Sequence, residues 1–304
     1  VVRAAILRKA GEAPTVGEFD EPDGQVVDVR VAGCNPVDLA LASGAAGAPT
    51  VPSVVGKEGV GLTADGTRVY FDSPPDPFGS WAQRCRIEPA TAFPVPDGVD
   101  DDLAVALGIA GLAAWLPLTR HASVTDAESV LILGATGTVG RIAVQAAKLL
   151  GAGRVVGAGR NPEALEQVAA LGADATVELG KGDDADALKA EAGAGYDVVL
   201  DLVYGKPFLA ALEASAVGAT LITVGQGAGS SAEVSFRSLM GRTHVGHLNN
   251  AMGPDVMRAG YQELTRHAAD GKITLDIRRY SLEEAADAWR AQAESPHAKL
   301  VIVP

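Results

Sequence analysis

The sequence predicts an α/β chain in which an irregular, β-rich domain leads into a doubly wound parallel sheet. Three observations predict it: up to about Pro96 short apolar runs alternate with Gly and Pro; beyond about Thr119 apolar strands alternate with helices; and a glycine-rich turn, Gly134 to Gly140, joins the first of those strands to its helix. A length of 304 residues allows one to three domains, because single cores stop growing near ~250 to 300 residues. With 47% hydrophobic and 21% charged residues the balance is globular and excludes a disordered chain.

In order along the chain, Val1 to Leu7 is an apolar run that breaks at Arg8-Lys9. It is too short for the centre of a signal peptide and is expected to be a strand. Val26 to Val31 and Arg68 to Phe71, bounded by turn residues, are the next strands. Asp100-Asp101-Asp102 precedes the longest uncharged stretch, Leu103 to Leu118, and is expected to cap a helix, since carboxylates accept from free amides at the positive end of the dipole. That stretch is shorter than the ~20 residues that span a bilayer and carries Gly108, Gly111 and Pro117, so it is expected to be a buried helix.

The parallel series starts with strand Val130 to Leu133 and a helix from about Thr138 to Leu150, ended by Gly151. Arg154 to Ala158 is the second strand, and Glu163 to Leu171 its helix, opened by Asn161-Pro162. Ala175 to Glu178, Val198 to Asp201, Thr220 to Val224 and His244 to Leu248 continue the strands. Beyond Asn249 no further strand-helix half is expected: a helix from about Asp255 to Ala269 ends at Gly271, Ser281 opens another with Glu284 completing a capping box, and Lys299 to Val303 is a closing strand.

Charge and cysteine content narrow the partners. Lys plus Arg number 25 against 38 Asp plus Glu, a net of -13, which sets aside nucleic acid and anionic membrane. Two cysteines, Cys34 and Cys85, are too few for a disulfide framework or a four-thiolate zinc site, so a reducing, cytoplasmic setting is expected.

Gly134-Ala135-Thr136-Gly137-Thr138-Val139-Gly140 carries the chemistry. Between a strand and a helix, glycines permit a tight turn and close approach of backbone to a pyrophosphate, whose charge meets free amides at the helix N-terminus. An NAD site would end the second strand with an acid that grips the ribose hydroxyls. Here that place reads Ala158-Gly159-Arg160-Asn161. Arg160 offers a fork suited to a 2′-phosphate, so NADPH is expected over NADH; a solvated loop cation is the bland alternative.

With these motifs, Asn35-Pro36-Val37-Asp38, Gly56-Lys57-Glu58-Gly59-Val60-Gly61 and Ala110-Gly111-Leu112-Ala113-Ala114-Trp115, the chain resembles the medium-chain dehydrogenase/reductases, in their zinc-free quinone oxidoreductase branch. The resemblance runs along essentially the whole chain. It implies a GroES-like catalytic domain, residues 1–118 with 250–304, interrupted by a Rossmann domain, residues 119–249. It implies a small-molecule substrate in the cleft between them, and a homodimer formed by the sheet edge near His244 to Leu248. Zinc members carry Cys and His where this chain has Asn35 and Lys57, so no metal is expected. His244 and His247, at odd separation on a predicted strand, face opposite ways. Asn35 is the expected hydrogen-bond donor to the developing oxyanion, against the alternative of an amide that ties its own turn. Lys57 is a donor, a substrate anchor or a partner of Glu58, and Asp38 is expected to hold local backbone. By position, Asp201, Val203, Val224 and Gly225 are further cofactor contacts, and Lys299 matches a cation that reaches the pyrophosphate. Related enoyl reductases place a Tyr proton donor where Ala45-Ala46 stands, which leaves the proton to solvent.

Other classes fit less well. No tyrosine has a lysine four residues on, as a short-chain dehydrogenase would need, and no Gly-x-Ser-x-Gly elbow occurs. A non-catalytic NADPH-binding sensor or structural protein, and an enoyl-thioester reductase of a biosynthetic pathway, stay open.

Overall fold

The computed structural model describes residues 1–45, 47–122 and 124–304 and divides into two compact units: Val1–Ala110 with Pro254–Pro304, and Gly111–Gly253. The first part of the chain forms β1 (Val2–Leu7), β2 (Thr15–Phe19), β3 (Val26–Cys34), α1 (Pro36–Ser43), β4 (Ser53–Val54), β5 (Glu58–Thr63), β6 (Arg68–Asp72), β7 (Arg84–Arg86), β8 (Ala92–Pro94) and α2 (Asp101–Ala106). Asp100 caps α2, accepting the Leu103 N–H at 2.8 Å. The expected helix over Leu103 to Leu118 is two helices, since α3 (Ile109–Arg120) starts anew after Gly108. A Cβ at Gly108 would lie 2.0 Å from the Tyr70 ring, so the break is where that ring passes the backbone.

The second unit alternates β9 (Ser129–Leu133), α4 (Thr138–Leu149), β10 (Arg154–Gly159), α5 (Pro162–Ala170), β11 (Ala175–Glu178), α6 (Asp184–Ala192), β12 (Tyr196–Asp201), α7 (Gly205–Ala214), β13 (Ser215–Thr223), α8 (Phe236–Leu239) and β14 (Thr243–Gly246). Its sheet runs β11-β10-β9-β12-β13-β14 with every pairing parallel. This is the 3-2-1-4-5-6 order of a dinucleotide-binding sheet, which reverses between β9 and β12. Parallel strands buried on both faces need continuous apolar runs. Leu131, Leu133, Val156 and Val199 of these strands pack into one core with Phe208 of α7.

The tail forms α9 (Pro254–Ala269), β15 (Ile277–Ser281), α10 (Ala285–Ala293) and β16 (Lys299–Val303). Contrary to expectation it does contain a β-α-β crossover, because β15 pairs parallel with β16. The strand escaped notice because Arg278 and Arg279 make it an exposed polar edge. β16 in turn pairs antiparallel with β3, in the sheet β15-β16-β3-β5-β6-β8, with β7 also on β3; β1 holds β2 and β4 separately. Trp81 and Trp289 meet edge to face at 5.8 Å in this unit's core. No helix of the described residues is long and apolar enough to cross a membrane.

Candidate functional site

β9 delivers the chain to Gly134, which turns at φ 78°, a conformation open to glycine. The N–H groups of Gly134 and Ala135 both donate to the Ala158 carbonyl, at 2.9 and 3.0 Å, and pin the turn to β10. The three glycines of the turn do different work. A Cβ on Gly140 would lie 2.4 Å from the Gly134 oxygen and 2.5 Å from the Ala135 Cα, so this glycine lets α4 sit on the turn. A Cβ on Gly137 would meet only the Gly134 oxygen, at 3.6 Å, so packing does not demand glycine there and the space beside it is open. Gly137 is the N-cap of α4. Thr138, Val139 and Gly140 form the helix's first turn, whose amides sit at the positive end of the dipole and suit a phosphate. Thr136 is buried, and a Cβ on Gly159 would lie 2.8 Å from its methyl group.

The neighbouring strand ends line up with this turn. At the end of β10, Arg160 is exposed and makes no ion pair or hydrogen bond among the described residues. The Asn161 side-chain oxygen caps α5, accepting from the Ala164 N–H at 3.0 Å. Asp201, at the end of β12, is fully buried. Its Oδ1 accepts the N–H groups of Val203 and Tyr204 at 3.0 and 2.8 Å, and its Oδ2 the Thr223 hydroxyl at 3.1 Å. Burial pushes the Asp201 carboxyl above its ordinary range, against those donors. Its side chain thus shapes the loop. Val224 N–H donates to the Asp201 carbonyl at 2.8 Å, and a Cβ on Gly225 would lie 2.2 Å from the Leu202 oxygen. Val203 packs against the turn, where a Cβ on Gly134 would come within 2.9 Å of it. Gly134, Gly159, Val203, Val224 and Gly225 therefore form one rim along the carboxyl ends of adjacent strands.

The other unit brings Asn35, Glu58 and Lys299 together in a buried polar cluster. Glu58, on β5, is 0% exposed, and Lys299, opening β16, is 1% exposed. The Lys299 ammonium donates to Glu58 Oε1 and to Asn35 Oδ1, both at 2.7 Å, while Asn35 Nδ2 donates to Glu58 Oε1 at 2.8 Å. Glu58 Oε2 accepts the Tyr70 hydroxyl at 3.0 Å and the Ile109 N–H at 2.7 Å. The Lys299 ammonium, which the resemblance assigned to a pyrophosphate, lies inside this cluster in this structure. Asp38 accepts the backbone N–H of Asn35 at 2.8 Å and of Lys57 at 2.9 Å. Burial, opposed by the Asn35 amide and helped by the Glu58 charge, pushes its carboxyl up to about 7. Lys57 makes no ion pair within 4 Å among the described residues; Glu58 belongs to Lys299. Lys57 and Asp38 line a pocket of ≈ 270 Å³ walled by Leu41, Val54 and Phe78, with Thr50, Ser53 and Asp76 as its other polar groups.

Residues 138–266 match the family described as zinc-binding dehydrogenase. The chain is 30% identical, over 93% of its length, to a phenolphthiocerol/phthiocerol polyketide synthase protein of Mycobacterium tuberculosis, of which it spans only 14%. It is 28% identical to the quinone oxidoreductase of Pseudomonas aeruginosa, over 88% of this chain and 87% of that one. The fold superposes on the crystal structure of a quinone oxidoreductase from Pseudomonas syringae pv. tomato DC3000 with a TM-score of 0.90, 25% identity and full coverage of both chains. Along its length the chain is similar to quinone oxidoreductases of the medium-chain dehydrogenase/reductase superfamily, in sequence and in fold.

Asn35 and Lys57 stand where the resemblance places the ligands of zinc members. Asn35 spends its amide on an ammonium and a carboxylate, and the described residues hold no group of three or more His, Cys, Asp or Glu placed to bind a metal. Cys34 and Cys85 are free and buried. His244 and His247 engage different partners, the Thr223 hydroxyl at 3.0 Å and His121 at 3.1 Å. Ala45 is exposed, while Ala46, the other residue at the enoyl reductases' tyrosine position, lies outside the described residues. Sequence reasoning missed Glu58 as the hub of the buried cluster, since Lys299 lies 241 residues away along the chain.

Proposed function

We propose that this chain is an NADPH-dependent reductase that delivers hydride, without zinc, to a quinone or to the β-carbon of an activated alkene. The observation that carries the reading is an open glycine turn at Gly137 followed, at the end of the next strand, by an exposed Arg160 with no ion pair among the described residues. NADPH, when bound, supplies a hydride from C4 of its nicotinamide. Gly137 leaves room for the pyrophosphate, and the N–H groups of Thr138, Val139 and Gly140 donate to its oxygens. The Arg160 guanidinium takes the 2′-phosphate in a forked pair of hydrogen bonds. The second Asn35 Nδ2 hydrogen, not used by Glu58, is the donor assigned to the developing enolate or quinolate oxygen, and Lys57 is assigned to the acceptor's pocket. Solvent supplies the proton.

The likeness to a polyketide synthase protein over 93% of this chain favours, as a second acceptor class, an alkene on an acyl thioester. The partner set is completed by a second copy of this chain across β14, with no nucleic acid or membrane, as the net charge of -13 suggests. Free, buried cysteines fit a cytoplasmic setting. Arg160→Ala should weaken NADPH by about tenfold or more while NADH changes little, on the scale of a charge-assisted pair; equal loss of both would sink the 2′-phosphate assignment. Asn35→Ala should lower turnover with NADPH affinity nearly unchanged, and a wild-type rate would remove its role.

A further inference from the structure

Tyr204, the N-cap of α7, has φ 56° and ψ -161°. That region of backbone space is essentially reserved for glycine, and a side chain held there is strained. The surroundings over-determine it. Asp201 Oδ1 holds the amides of Val203 and Tyr204, the Val203 carbonyl accepts the Ala228 N–H at 2.7 Å, and a Cβ on the next residue, Gly205, would lie 2.8 Å from the Ala228 oxygen. The ring leans on Phe208 with centroids 5.0 Å apart, and Phe208 lies 4.9 Å from the His244 ring. The phenol is half-buried, and its hydroxyl has no hydrogen-bond partner among the described residues. By contrast, the buried phenols of Tyr70, Tyr196 and Tyr261 bond Glu58, the Leu188 carbonyl and the Ala104 carbonyl.

Position gives the idle hydroxyl a use. In this strand order the turn after β9 and the strands β10 and β11 form one mononucleotide half, and β12 to β14 form the other. Arg160, after β10, belongs to the adenosine half. Tyr204 follows β12 and belongs to the half that takes the nicotinamide nucleotide.

We propose that Tyr204 is a cofactor-binding residue whose hydroxyl hydrogen-bonds the nicotinamide nucleoside of the bound dinucleotide, its strained backbone being kept to place that hydroxyl. The proposal rests on the nucleotide site described above. Two probes separate the halves: NADPH, and 2′,5′-ADP, which carries the adenosine half alone. Dissociation constants for both, with thermal midpoints, are measured for the wild type and for Tyr204→Phe, which keeps ring and backbone and removes only the oxygen. The expected result is an NADPH Kd raised about fivefold, the loss of one neutral hydrogen bond, with 2′,5′-ADP affinity and thermal midpoint unchanged. Unchanged NADPH affinity would mean that the ring only packs on Phe208 and would overturn the proposal. An equal rise for both probes would also overturn it, since Tyr204 would then support the loop as a whole. A wild type that binds neither probe would overturn the nucleotide site itself, a failure distinct from the other two.

Discussion

Glu58 shows how single residues set the chemistry of the first unit. A carboxylate with no exposure is tolerable only if its charge is paired and its lone pairs are filled, and four donors meet it: Asn35, Lys299, Tyr70 and the Ile109 amide. Asp38 and Asp72 lie in the same unit and feel the Glu58 charge after their own burial, which together push them up to about 7 and about 6. Both values lie above the ordinary 3.8, so between roughly pH 4 and 7 the native chain keeps protons that the unfolded chain has released. Stability should therefore fall as pH rises through that window. Urea midpoints at pH 5 and pH 7.5 check this: the wild type should be less stable at pH 7.5, and Asp72→Asn should narrow the difference. A wild type that gains stability over that interval would contradict it. None of this was legible in the sequence, where Glu58 reads as a neighbour of Lys57. The pairing depends on β16 reaching β3, a contact that spacing along the chain does not encode.

At the scale of elements, the β9-turn-α4 unit was legible because glycine spacing, strand burial and helix capping all act within a dozen residues. What the sequence did not divide is the labour among the glycines. Gly140→Ala places a Cβ against backbone atoms at 2.4 and 2.5 Å, so α4 must shift, at about 1–3 kcal/mol of stability. Gly137→Ala meets nothing closer than 3.6 Å, and its φ of -81° suits alanine. Gly137→Ala should leave the thermal midpoint within a degree or so while raising the NADPH Kd about tenfold or more; a Kd like the wild type's would place the pyrophosphate elsewhere. Elements decided by distant contacts stayed hidden. α1 starts at Asn35-Pro36, which local rules give as a turn, and β15 carries arginines in place of an apolar pattern. The break between α2 and α3 answers to the Tyr70 ring, and nothing local marks Tyr204 as strained.

At the scale of the whole molecule, β14 ends the parallel sheet, and exposed apolar side chains gather in the segments around it: Phe236 at 81%, Leu248 at 66% and Met240 at 57% exposed. A sheet edge left bare beside such residues invites a second copy. Light scattering at working concentration should give a dimer, and the combined Phe236→Glu, Leu248→Glu variant a monomer with an unchanged far-ultraviolet spectrum; a monomeric wild type would refute the edge pairing.

Reduction driven by NADPH is the central claim, and its most direct test is the rate at which purified protein consumes NADPH, with NADH as control, against quinones, α,β-unsaturated ketones and enoyl thioesters. The expected result is turnover with at least one of these acceptors and a clear preference for NADPH. Consumption of neither nucleotide with any acceptor, or a preference for NADH, would contradict it.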